Sequence, residues 1–262
     1  GDDRPVDGLS PGTDRVSEEH PNVVERNMSG PWTDLGLTLP IFVGYHLGVV
    51  FLPVRNAADW MTRELVSLAN NDMVAYGGLT TAIAAVYIGV LVMAGRGKAL
   101  RWQNFALLAG EAVVYAVAMK TVASYVVGEM VLGRSVQAVD ATALASGIEH
   151  GPFAGFVLSC GAGFYEEVMF RVLLFGAALK GIKILFPLAG WQKPLVFIGW
   201  ALFASMIFSL WHYIGPLGDP LDAPSFVFRW VCGLVFTLIY AFRGFAPAVW
   251  THALYDIWVL VF

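Results

Sequence analysis

The sequence predicts an all-α fold, a polytopic transmembrane helical bundle of seven to eight spanning helices. Three observations carry this. First, 57% of the 262 residues are hydrophobic and only 14% are charged, whereas a soluble globular domain has about 25% charged residues. Second, seven apolar runs approach or exceed the ~18 residues needed to cross a bilayer. Third, these runs lack the ten-residue alternating segments of a membrane barrel, and an open sheet cannot span lipid.

Taken in order, residues 1–34 are polar, with Pro5, Pro11, Pro21 and Pro31 and many acidic residues. They read as a soluble, weakly ordered N-terminal extension, a place where subunits of a membrane complex could dock. No apolar stretch precedes Leu35, so no signal peptide is expected in this region. Residues 35–262 form the transmembrane domain. Its runs are 36–54, 76–95, 103–127, 153–179, 194–212, 225–242 and 245–262. The fourth is long enough to be tilted or bent, and 182–190 is a possible eighth, short or interfacial piece. Within the runs, His46 reads as a satisfied buried histidine. Glu111 and Lys120, nine apart, fall on opposite helix faces and cannot pair with each other. Arg229 opens the sixth run and has two readings: it snorkels to the membrane surface, or it contacts substrate or neighbouring carboxylates. Cys160 and Cys232 are read as packing residues, without a disulfide framework or metal spacing.

The net charge of −4 says little, because most charges lie in the extension and loops. No basic cluster exceeds three residues, which argues against nucleic acid as a partner. Membrane lipids are the expected surroundings. With seven spans, ten Lys and Arg residues fall on the side of the N-terminal extension and three on the other. That bias predicts a cytoplasmic N-terminus in a multi-pass protein of the cell membrane. Loops 55–75, 128–150 and 213–224 then share the opposite side, as a possible cap over a cavity.

The chemistry-bearing residues are Glu166, Glu167, Arg171, His212, His252 and Asp256. Each lies within or at the end of an apolar run, where a charge is costly unless it pairs or faces a wet cavity. Glu167 and Arg171, four apart, share a helical face and can pair. Glu166 is rotated about 100° from Glu167 in an α-helix. One carboxylate is thus held by an arginine, while its neighbour stays available to accept a proton. His212 follows an apolar run just before Tyr213-Ile-Gly-Pro216, where a helix must end; Phe208, one turn earlier, reads as packing. His252 and Asp256, again four apart, share a face of the last helix. There Asp256 could orient the His252 ring, or both could bind a metal.

In series, Glu166-Glu167-x-x-x-Arg171, Phe208-x-x-x-His212 and His252-x-x-x-Asp256 resemble the three motifs of the CPBP family. These are the CAAX proteases and bacteriocin-processing enzymes, also called Abi, and the resemblance covers about residues 150–260. It implies an integral membrane endopeptidase that hydrolyses peptide bonds of membrane-associated or lipidated peptides without a covalent intermediate. It further implies Glu166 as general base working with His212 on a water. Glu167 and Arg171 become paired, orienting charges, and His252 with Asp256 stabilises the oxyanion. Two histidines and two carboxylates also fit a zinc set, but the resemblance favours a metal-independent glutamate-type protease with no cofactor. The rival readings are a non-catalytic family member serving as a structural subunit of a larger membrane complex, and a proton-coupled transporter. The latter lacks the internal repeat and paired broken helices of many transporters.

Overall fold

The structure, a computed structural model, describes residues 31–52, 67–69, 72–94, 102–129, 140–214 and 218–262. Residues 1–30 of the N-terminal extension, and most of the 55–75 and 128–139 loop segments, lie outside the described residues. Every described element is helical. In chain order they are α1 (Pro31–Phe51), α2 (Met73–Ala94), α3 (Trp102–Val127), α4 (Asp140–Gly161), a π-helical segment (Ala162–Ala177), α5 (Ala178–Leu185), α6 (Gln192–Trp211), α7 (Ala223–Arg243) and α8 (Phe245–Val261).

The seven apolar runs coincide with these helices. Among the described residues, four helices are long and apolar enough to cross a membrane: Trp32–Phe51, Trp102–Val127, Gln192–Trp211 and Ala223–Arg243. Phe245–Val261 is a shorter apolar helix. The segment 182–190 is no eighth span, because α5 ends at Leu185 and Phe186 turns to extended backbone. At the other end of the domain, the described part of α1 already includes residues 31–35, ahead of the apolar run.

The chain around the fourth run departs from regular α-helix twice. Just before the run, at Gly151 within α4, the backbone adopts φ 79° and ψ 165°, a conformation open to glycine, and Pro152 then restarts the helix without needing an N–H partner. From Ala162 to Ala177 the chain winds as a π-helix, in which hydrogen bonds run i to i+5 and which recurs at functional sites.

Helices approach closely where side chains are small. A Cβ on Gly155 would lie 2.5 Å from the Leu260 carbonyl oxygen, and one on Gly163 would lie 2.7 Å from the Ala253 Cβ. Gly155, Ser159 and Gly163 recur at every fourth position, so α4 and the π segment present a narrow face to α8. Without a hydrophobic drive between helices in lipid, such close backbone packing is what holds them together. Because Gly155 faces Leu260 while Gly163 faces Val249 and Ala253, α4 and α8 run antiparallel.

The ends of several helices are tied together by polar contacts. An Asp34 carboxylate oxygen accepts the Phe245 N–H at 2.9 Å, so α1 caps the N-terminus of α8. Gly244 leads into that helix with φ 101° and touches the same carboxylate where a Cβ would stand. Arg243 grips Glu111 with two hydrogen bonds, of 2.7 and 3.0 Å. Lys120 instead lies over the Trp258 ring, so Glu111 and Lys120 are indeed on separate faces. His46 is buried between Tyr76 and Tyr165, whose hydroxyls meet its two ring nitrogens at 2.9 and 2.6 Å. Cys160 and Cys232 form no disulfide and are buried in the apolar core.

Candidate active site

The six residues singled out in the sequence converge. The π segment supplies Glu166, Glu167 and Arg171, the end of α6 supplies His212, and α8 supplies His252 and Asp256. Glu167 is fully buried and Arg171 nearly so. An Arg171 nitrogen lies 3.1 Å from a Glu167 carboxylate oxygen, and a second donates to the Gly233 carbonyl at 3.3 Å. The guanidinium carbon is 4.2 Å from the Phe208 ring centroid and 5.0 Å from that of Phe236. Arg171 is therefore flanked by a carboxylate, a backbone carbonyl and two aromatic faces, which offset the burial of its charge.

Glu167 has a second task that its spacing did not reveal. The same oxygen meets His252 Nδ1 at 2.7 Å. Since a carboxylate only accepts, Nδ1 carries the proton and Nε2 points away from Glu167. That Nε2 faces Glu166 at 3.9 Å and Asp256 at 3.6 Å. The expectation that Asp256 could orient His252 is thus refined: Glu167 fixes the ring, assisted by Phe236 stacked on it at 4.5 Å and 18°. Asp256 faces the ring's other nitrogen. Two carboxylates aimed at one nitrogen require a proton among the three groups, so a hydrogen-bond donor is retained there.

His212 is set by the helix that it ends. Its Nδ1 lies 2.9 Å from the Phe208 carbonyl oxygen four residues earlier, one of the acceptors that a helix C-terminus leaves unused. A carbonyl can only accept, so Nδ1 bears the proton and neutral Nε2 is an acceptor. Nε2 lies 3.8 Å from a Glu166 carboxylate oxygen. This is too long for a direct hydrogen bond and short enough for one water to bridge. Such a water gives one proton to each group and turns a lone pair outward. Phe208, expected only to pack, thus fixes the His212 tautomer by its carbonyl and covers Arg171 by its ring.

Arg229 is also drawn into this end of the molecule. Asp219 accepts from it at 2.6 Å, while the Asp219 N–H donates to the His212 carbonyl at 2.8 Å. Its guanidinium carbon lies 5.2 Å from the Tyr213 ring centroid. Among the described residues, no group of three or more His, Cys, Asp or Glu side chains is arranged to hold a metal ion.

Residues 148–258 match the family model described as type II CAAX prenyl endopeptidase Rce1-like. It is the CAAX protease family that the three motifs resemble, and the matched segment contains all six site residues. That family is one of proteases acting on prenylated proteins in membranes. No individual curated protein and no solved structure matches the chain. With four membrane-length apolar helices and a match to a membrane protease family, the chain is a helical membrane protein.

Proposed function

We propose that this chain is an integral membrane endopeptidase that cuts peptide bonds of membrane-associated or lipidated peptides, using Glu166 and His212 to activate a water. The observation that carries the reading is the single Glu166 oxygen lying 3.8 Å from His212 Nε2 and 3.9 Å from His252 Nε2. Between Glu166 and His212, a water is oriented and can lose a proton to the carboxylate as it attacks the peptide carbonyl. The developing oxyanion is met from the His252 and Asp256 side, where a proton is held. Glu166 then returns its proton to the departing amine, and no covalent enzyme intermediate forms. Glu167 and Arg171 remain a fixed charge pair that sets the His252 ring.

The test is cleavage of a lipidated membrane peptide by the protein in liposomes. Glu166→Gln keeps the shape and loses the base, so the rate falls by roughly 10²- to 10⁴-fold while the thermal unfolding curve stays close to the parent's. Unchanged turnover in Glu166→Gln would reject the assignment of the base.

A further inference from the structure

The candidate chemistry leaves a buried polar cluster on α1 without a task. His46 is only 4% exposed, and both of its ring nitrogens are engaged. Nδ1 meets the Tyr76 hydroxyl on α2 at 2.9 Å, and Nε2 meets the Tyr165 hydroxyl on the π segment at 2.6 Å. A neutral imidazole has one donor and one acceptor nitrogen, so one hydroxyl donates to the ring while the other accepts from it. Tyr165 directly precedes Glu166, the proposed base. The helix that carries His46 lies outside residues 148–258, the segment that matches the family model.

The grip on Tyr165 is wider than one hydrogen bond. Tyr45, also on α1, sets its ring edge-on to Tyr165 with centroids 5.4 Å apart, and Phe42 does the same to Phe164 at 5.1 Å. Close by, α1 rests on the end of α4, where a Cβ on Gly44 would lie 3.4 Å from the Cys160 Sγ. Phe164 and Tyr165 are thus fastened to a helix that contributes no group to the chemistry. A π-helix longer than one turn is rare, so contacts from outside must hold it. Rewinding the segment as an α-helix would rotate its side chains about the axis and carry Glu166 away from both histidines. The Glu166 oxygen that stands 3.8 Å from His212 Nε2 and 3.9 Å from His252 Nε2 tolerates little such rotation.

We infer that His46 is a positioning residue for peptide hydrolysis: through the Tyr165 hydroxyl it fixes the rotation of the π segment and so places the Glu166 carboxylate against the attacking water. Nε2 carries this task, while Nδ1, which meets Tyr76, anchors the ring. The inference rests on the hydrolase reading above and adds to it that α1 serves the chemistry as well as the packing.

Cleavage of a lipidated peptide in liposomes by the wild type, His46→Gln, His46→Asn and Tyr165→Phe decides the matter, with rates taken per folded molecule. A glutamine amide reaches the place of Nε2 and an asparagine amide that of Nδ1, and either amide both donates and accepts. Tyr165→Phe is expected to lose roughly ten- to a hundred-fold in kcat with KM nearly unchanged, as a displaced catalytic group implies. His46→Asn is expected to match that loss, and His46→Gln to stay close to the wild type. A parental kcat in Tyr165→Phe, or a loss carried by KM instead, overturns the inference while leaving the hydrolase reading intact. Equal activity of His46→Gln and His46→Asn also overturns it, because the contact with Tyr165 would then not be the one that matters. Should either His46 variant fail to fold, Tyr165→Phe decides alone. A Tyr165→Phe protein that does not fold overturns the inference too, since the hydroxyl would then support the fold rather than the placement of Glu166. Failure of the wild type to cut the peptide overturns the hydrolase reading itself.

Discussion

Glu167 is the residue on which the site's geometry turns. One of its oxygens receives both Arg171 and His252, so the carboxylate is shared between holding the π segment and setting a ring on α8. A buried ion pair broken from one side leaves an uncompensated charge, at a cost of about 3–5 kcal/mol, whereas removing both partners is much milder. Arg171→Met is therefore expected to lower the thermal midpoint and folded yield sharply, and Glu167→Gln with Arg171→Met to recover much of the loss. A double-mutant cycle by thermal unfolding in detergent measures this. Strictly additive losses would mean that the two groups do not act as a pair. The pairing of Glu167 with Arg171 is legible in sequence, because four-residue spacing survives the change from α to π winding. Its bond to His252 is not, because the two lie 85 positions apart and nothing local links them.

At the level of elements, the π segment and α8 deliver the site only if they touch. Gly163 is the closest point: a Cβ there would lie 2.7 Å from the Ala253 Cβ and 2.9 Å from its backbone nitrogen. Ala253 follows His252 directly, so pushing α8 away moves the imidazole from Glu167. Gly163→Val is expected to cost about 1–3 kcal/mol through overpacking and to lower peptide cleavage by more than its loss of folded protein explains. Gly110→Ala on α3, where a Cβ meets nothing within 4 Å, serves as the control and should be neutral or slightly stabilising. Activity per folded molecule that is the same in Gly163→Val as in the parent would show that this contact does not position the site. The apolar runs announce the helices themselves, but not the π winding. Residue types between 162 and 177 are compatible with an α-helix, and only neighbours that fix both sides of the segment select the wider form.

At the scale of the whole molecule, the two ends of the bundle carry different chemistry. Asp34, Glu111, Arg243 and Gly244 meet at one end, near the start of α1. His212, Asp219 and Arg229 meet at the other, beyond the end of α6. His212, at the edge of the proposed site, therefore lies toward the end opposite the one on which residue 31 lies. An affinity tag on the N-terminal extension and a thiol probe at Leu221→Cys, an exposed position between α6 and α7, are expected to report opposite membrane faces. The Lys and Arg bias predicts that the tag is cytoplasmic. Both labels on one face would contradict this arrangement of the spans.

The sequence by itself determined that the chain is a helical membrane protein, roughly where each helix lies, and which six polar residues are out of place in lipid. Composition and periodicity suffice for this, because hydrocarbon forbids unpaired charges and open backbone regardless of what packs nearby. Tertiary structure alone decided which oxygen meets which nitrogen, which tautomer His212 and His252 adopt, and that Arg229 is tied to His212 through Asp219. Those outcomes depend on Ångström-scale approaches between distant segments, and residue spacing along a chain carries no record of such distances.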